Sequence, residues 1–248
     1  MKGNDMGGEI VYSLIVPAHN EEKTLLPTLQ ALAAQQGDMA YEIVVACNGC
    51  TDNTVSIARE FAAAQPAGRV VVADTEQAGM SFGKNFGARN SNGRHLVFVD
   101  ADTSIPADAL SKIAGATAGR DNYIATVAGQ PDKGGLVVKI CFLIANFVTK
   151  RNRVHAPGGV MVMPRSVWEN IGGFAEDLPQ GTSSDLIMRA RAAGAEYVFI
   201  NRFKAVTSIR RFEKTGVIRQ MLAWKQNHRN LENGSRESVA GRNYEDVR

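Results

Sequence analysis

Two rhythms alternate along the first hundred residues. Short β-branched and apolar runs at residues 10–16 (IVYSLIV), 41–46 (YEIVVA), 69–73 (RVVVA) and 95–100 (HLVFVD) predict strands. Between them, residues 21–35 place Leu25, Leu29 and Leu32 at helical spacing, residues 51–64 open on the candidate caps Thr51 and Asp52, and residues 82–91 read as a short helix. Strands alternating with helices predict βαβ units and a mostly parallel central sheet flanked by helices, an α/β fold. The second half is less regular. Residues 121–129, 156–164, 196–200 and 204–209 predict strands, and residues 164–174, 183–194 and 215–230 predict helices.

In parallel sheets of this kind, ligands bind beyond the carboxyl ends of the strands. The segments that follow the four early strands are PAHNEE (17–22), CNGCTDNT (47–54), DTEQAGMSFGKN (74–85) and DADT (100–103), all polar and rich in turn formers. The last is the most telling, because an apolar strand runs straight into Asp100-Ala101-Asp102. Two carboxylates at i and i+2 can lean toward one point where a strand relaxes into a loop. Hard oxygen ligands suit Mg²⁺ or Mn²⁺, and a two-carboxylate site leaves coordination positions open for a diphosphate.

Composition narrows the field. With 248 residues, 44% hydrophobic and 21% charged, the chain has the size of one large domain. The longest apolar stretch, residues 134–148, is short for a membrane span and carries Lys139, so it reads as a buried or interfacial helix. The N-terminal residues lack the apolar core of a signal peptide, which gives a cytoplasmic protein as the expectation. The net charge of +3 is unevenly spread: eleven Lys/Arg face five Asp/Glu from residue 201 onward, against seventeen and twenty before it. That basic end and the KICFLIANFVTKRNR stretch (139–153) add peripheral contact with a membrane surface to the expectations. Three cysteines give no disulfide framework. Cys47 and Cys50 form a single C-x-x-C, which cannot close a zinc site by itself and reads as two small residues around an Asn-Gly turn, with a redox role as the alternative.

No G-x-G-x-x-G follows the first strand, and no Walker lysine motif, H-E-x-x-H or G-x-S-x-G is present. Dinucleotide, P-loop, zinc-hydrolase and serine-hydrolase chemistry therefore lack support. Instead SLIVPAHNEEKTLLPTLQAL, EIVVACNGCTDNTVSIA, AGMSFGKNFGARNSNGRHLVFVDADT and GGVMVMPRSVWENIGGF resemble, in order, the successive motifs of glycosyltransferase family 2, over residues 11–200. The resemblance implies a GT-A (Rossmann-like nucleotide-diphospho-sugar transferase) fold. It implies sugar transfer from a nucleotide-diphosphate sugar to an acceptor hydroxyl with inversion, using Mn²⁺ or Mg²⁺ on the D-x-D motif. Carried over residue by residue, it puts Pro17, Ala18, Asn20, Glu21, Asn48, Gly79, Lys84, Asp100 and Ala101 at the donor, and the metal on Asp100 and Asp102.

Asn48 stands where the family usually has an acidic residue that accepts from the nucleobase, so uracil and guanine both remain open, with a UDP-sugar favoured over a GDP-sugar. At the start of the acceptor-side helix the family's acidic pair is replaced by Thr182-Ser183. Asp185 is then the nearest carboxylate for the catalytic base, and Asp177 with Glu176 is the fallback. Gly158 and Gly159 are expected to permit close backbone approach to the sugar, and Arg210 and Arg211 to neutralise the leaving diphosphate. His155 and Trp168 have structural readings beside functional ones, and so does Trp224. The expected organisation is an N-terminal tail (1–9), a nucleotide-sugar-binding half (10–102), an acceptor-binding half (103–212) and a basic helix and tail (213–248). The acceptor is left open among a saccharide, a lipid-linked hydroxyl and nucleic acid. The rival functions are a non-catalytic nucleotide-sugar binder on the same fold, a glycosyltransferase acting on a modified nucleic-acid base, and a nucleotidyltransferase.

Overall fold

The computed structural model describes residues 10–178 and 181–210, together with 213 and 216. The expected N-terminal tail, the C-terminal helix over 215–230, Arg211 and Trp224 therefore lie outside the described residues. Eight strands form one sheet in the order β3-β2-β1-β4-β7-β6-β8-β5. Strands β1 (Tyr12–Ala18), β2 (Tyr41–Asn48), β3 (Val70–Thr75) and β4 (His95–Val99) pair in parallel, as the alternation predicts. In the second half two strands, β7 and β5, run against the rest. β7 (Val160–Pro164) runs antiparallel to β4 and to β6 (Tyr123–Pro131), and β8 (Glu196–Thr207) is parallel to β6. A two-residue β5 (Thr103–Ser104) closes the far edge against β8, so the sheet is mixed rather than uniformly parallel.

Period-two alternation sends Leu14 and Val16 to one face and Ile15 to the other, and two hydrophobic clusters result. One packs helices α1 (Leu25–Ala33), α2 (Thr54–Ala63) and α4 (Ala109–Thr117) on the sheet through Leu25, Leu29, Leu32, Ala58, Leu110 and Ile113. The other packs α3 (Met80–Arg89), α6 (Arg165–Asn170) and α7 (Thr182–Ala192) through Ala88, Val167, Trp168, Leu186 and Ile187. Trp168 is thus a core residue, as its structural reading has it. Pro27 is accommodated because it falls in the first turn of α1, where its missing N–H has no helical partner to lose.

Two departures have local causes. The separate strands expected at 196–200 and 204–209 are one strand, β8, whose register on β6 jumps from Val127–Ile200 to Ala128–Lys204. The three extra residues form a bulge, and that irregularity is what broke the apolar pattern. The stretch over 134–148 becomes α5 (Leu136–Asn152), which is not buried. Only Phe142 and Thr149 are sequestered, whereas Leu136 and Phe147 are 73% and 71% exposed.

Direction and register bring the site together. The carboxyl ends of β1, β2, β3, β4, β6 and β8 and the amino end of β7 all fall on one edge of the sheet.

Candidate active site

On that edge β4 ends at Val99, and the chain turns through Asp100-Ala101-Asp102. The turn is fixed by main-chain bonds: Asp100 N–H donates to Gly159 O at 3.1 Å and Thr103 N–H to Asp100 O at 3.0 Å. Ala101 is buried, and its carbonyl accepts from Thr28 Oγ1 of α1 at 3.0 Å. The Asp100 side chain is 46% exposed and that of Asp102 19%. An open depression lies beside Asp100, lined by Lys84, Phe98, Gly159, Met161 and Ser183.

Each aspartate faces a cation. Lys84 of α3 lies 3.6 Å from Asp100 Oδ1 and is itself buried, its ammonium 5.2 Å from the centre of the Phe174 ring. Arg210, three residues past β8, lies 3.4 Å from Asp102 Oδ2 and bonds Glu21 Oε2. Burial would lower the Arg210 pKa, but Glu21 and Asp102 outweigh it and hold the guanidinium charged. Glu21 is almost wholly buried. Its carboxylate also accepts from Thr24 Oγ1 at 2.8 Å, and its N–H donates to Thr54 Oγ1 at 2.7 Å. Charges from the β1 loop, the β4 end and the β8 end therefore meet at one point, although Glu21 and Arg210 are 189 residues apart.

Gly159 has φ +63°, and a Cβ there would sit 2.9 Å from Asp100 Oδ2. A Cβ on Gly158 would sit 2.9 Å from Val127 O. The pair therefore allows β7 to start hard against the aspartate turn, which no residue with a side chain could do without displacing it.

The β1 and β2 loops are tied together. Asn20, at φ +54°, accepts from Thr51 N–H at 2.8 Å. His19, which sequence reasoning passed over, is buried with Nδ1 2.6 Å from Asn48 O. Pro17 and Ala18 end β1 and are buried. Asn48, expected beside a nucleobase, lies in the interior. It has no exposed surface, its Nδ2 donates to Ala18 O and Ala46 O at 3.0 and 3.2 Å, and its Oδ1 accepts from Gly79 N–H at 3.1 Å. The amide is an internal brace that sets where Gly79, at φ +157°, starts α3 and so where Lys84 lies.

Cys50 sits in the same loop cluster and gives its thiol proton to Ala18 O at 3.3 Å. A hydrogen bond from the Cys47 thiol, reinforced by main-chain donors, favours its thiolate against burial and pulls its pKa down to about 7. Both cysteines are free.

Asp185 is the expected catalytic base. Asp185 lies in the first turn of α7, with 12% of its side chain exposed, and its Oδ2 accepts from Arg189 Nε at 2.8 Å and Nη2 at 2.7 Å. Arg189 goes on to donate to Ile171 O and Gly173 O. Asp185 thus orients an arginine that ties α7 to the end of α6, and Ser183 is the α7 residue on the depression. Asp177 is exposed, while Glu176 accepts from Asn85 Nδ2 at 2.8 Å. His155 Nδ1 lies 3.2 Å from Ser184 Oγ.

The aspartate pair suits a divalent ion in one way only. Among the described residues no group of three His, Cys, Asp or Glu side chains could enclose a metal. Asp100 and Asp102 would hold one only as an open site completed from outside, which is how Mg²⁺ and Mn²⁺ are commonly bound beside phosphates.

Residues 13–172 match the model for glycosyl transferase family 2. Glycosyltransferase AglE of Haloferax volcanii is 27% identical over 197 residues, 75% of this chain and 63% of that protein. The uncharacterized glycosyltransferase YfnE of Bacillus subtilis is 32% identical over 112 residues, 45% of this chain and 28% of that protein. The chain thus spans less than two thirds of either relative. Among solved structures, S. aureus TarS 1–349 in complex with UDP superimposes with TM-score 0.64 at 17% identity, covering 84% of this chain and 63% of that one. A mannosyltransferase from Pyrobaculum calidifontis in complex with GDP-Man and Mn²⁺ gives 0.66 at 20% identity, covering 87% and 64%. The fold is that of the GT-A transferases, and with the family model matched across most of the sheet, the chain belongs to glycosyltransferase family 2.

Proposed function

We propose that the chain transfers a sugar, with inversion, from a nucleotide-diphosphate sugar to an acceptor hydroxyl. The observation that carries this reading is an aspartate pair whose two members each face a cation, Asp100 beside Lys84 on an open depression and Asp102 beside Arg210. Two carboxylates with two flanking cations suit a diphosphate bridged by a metal, and the Pyrobaculum enzyme, solved with GDP-Man and Mn²⁺, supports that use of the fold. Asp100 and Asp102 would hold Mn²⁺ or Mg²⁺, and the ion would supply positive charge beside the leaving diphosphate. Lys84, anchored over Phe174, faces the phosphates, and Arg210 adds a second fixed charge. Asn20 and the loop held by Asn48 and His19 shape the nucleoside end. A UDP-sugar is the favoured donor, in line with the UDP bound to TarS. Gly158 and Gly159 let β7 begin close to Asp100, beside the depression that the sugar would enter. Asp177, the second carboxylate offered by the sequence, takes the acceptor proton.

The test is release of nucleoside diphosphate from a panel of UDP- and GDP-sugars with Mn²⁺. Release that chelation stops and manganese restores, and that Asp102→Asn lowers on the order of 100-fold or more, supports the proposal. Metal-independent release, or full activity in Asp102→Asn, overturns it. Thr182-Ser183 in place of the acidic pair favours one second reading, a nucleotide-sugar binder without transfer. A nucleotide that raises the melting temperature with no release from any donor selects that reading.

A further inference from the structure

The exposed face of α5 is inverted relative to an ordinary surface helix. Leu136, Ile140, Leu143 and Phe147 follow one another at spacings of four, three and four, so they form one stripe along the helix. All four point outward, from 44% to 73% exposed, with Val137 and Ile144 beside them at 66% and 46%. The opposite side holds α5 to the protein: Phe142 is buried, and the Asn146 amide both donates to and accepts from the main chain of Gly129, at 2.8 and 2.9 Å. A soluble helix places its apolar stripe on that inner side, and an exposed stripe of this extent marks an interaction surface.

Charge identifies the partner. From residue 133 to residue 168 the sequence contains no aspartate or glutamate. The apolar stripe is bordered instead by Lys139, Lys150, Arg151 and Arg153, all exposed. Apolar side chains outward, bordered by cations in a segment that holds no acidic residue from 133 to 168, match an acyl boundary under anionic headgroups. At 17 residues α5 is about 25 Å long, less than a hydrocarbon core, and among the described residues no helix is long and apolar enough to cross a membrane. The geometry points to a helix that lies on a membrane rather than through it: we propose that the outer face of α5 docks the protein on an anionic lipid bilayer. The helix leaves the sheet after β6 and returns through Gly158-Gly159 to β7, so both of its ends adjoin the aspartate edge. Docking would hold the open depression close to the lipid surface. The proposal stands apart from the sugar-transfer reading, because it concerns attachment and not the reaction.

The experiment is flotation of the full chain with vesicles of phosphatidylcholine alone and of phosphatidylcholine containing phosphatidylglycerol. The wild type is expected to float with the second and much less with the first, and high salt is expected to release it. Leu143→Glu with Phe147→Glu should weaken the interaction on the order of tenfold or more, and Lys150→Glu with Arg151→Glu should weaken it on anionic vesicles alone. Both pairs are exposed, so their melting curves should match the wild type. Equal flotation on both vesicle types, no flotation, or flotation unchanged in the Leu143/Phe147 variant overturns the proposal. So does a concentration-dependent dimer that the variant dissociates, which would mean a second copy covers the face. A fall in melting temperature on that substitution would assign the face to the chain's own remaining residues, and it overturns the proposal too. Nucleoside diphosphate release measured without vesicles separates this result from that of the proposed reaction.

Discussion

At the scale of single residues, the site depends on groups that do two jobs. Lys84 is buried, packs over Phe174 and faces Asp100. Lys84→Met keeps most of the packing and removes the charge. It is expected to lower diphosphate release on the order of 100-fold with a small change in melting temperature. A loss of folding, without a separable loss of rate, would contradict the role given to the charge. Cys50 offers a second handle, because its pKa is pulled down to about 7. The thiolate is the reactive form, so alkylation by iodoacetamide should rise through a midpoint near neutrality rather than at the higher pH of a free thiol. A bound nucleotide should slow it, as measured by mass spectrometry. Asp100 and Asp102 were legible in the residue string as carboxylates where an apolar strand ends, and Lys84 came only with the family resemblance; the structure brings Lys84 to 3.6 Å from Asp100. The Glu21–Arg210 pair was not legible as a pair, since nothing local signals a partner 189 residues away. Asp185 was legible as a carboxylate but not as a clamped one, because an acid in a first helical turn reads the same whether it faces a ligand or an arginine four residues on.

At the scale of elements, polar braces fix how helices meet the sheet. Arg189 joins α7 to the end of α6 through Asp185, Ile171 O and Gly173 O. Asp185→Asn weakens this brace and should cost about 1–3 kcal/mol of stability, read as a lower melting temperature, with the transfer rate nearly intact. A large fall in rate with unchanged stability would instead restore Asp185 as the base. The strands of the first half were legible because buried parallel strands are continuous apolar runs bounded by turns. α4 was not expected at all. Its contacts come from Ala109, Leu110 and Ile113, and the interleaved alanines and Gly115 blur the apolar stripe on which recognition depends. The bulge in β8 split one strand into two apparent ones, since an insertion shifts the period-two pattern midway.

Across the whole molecule, the Glu21–Arg210–Asp102 cluster joins the loop after β1 to the residues that follow β8. Arg210→Ala would leave Glu21 in the interior without its cation. The expected cost is about 3–5 kcal/mol, seen in denaturant titration, with Glu21→Gln in the same background recovering part of it. Additive losses would refute the coupling. Sequence alternation indicated the parallel half, but nothing local in it told the reversed direction of β7, which follows from the return path of α5. That reversal makes β4 a seam, bonded in parallel to β1 on one flank and antiparallel to β7 on the other. Neither flank can melt without stripping an edge from its neighbour, so heating should give a single cooperative transition, with calorimetric and van't Hoff enthalpies in agreement.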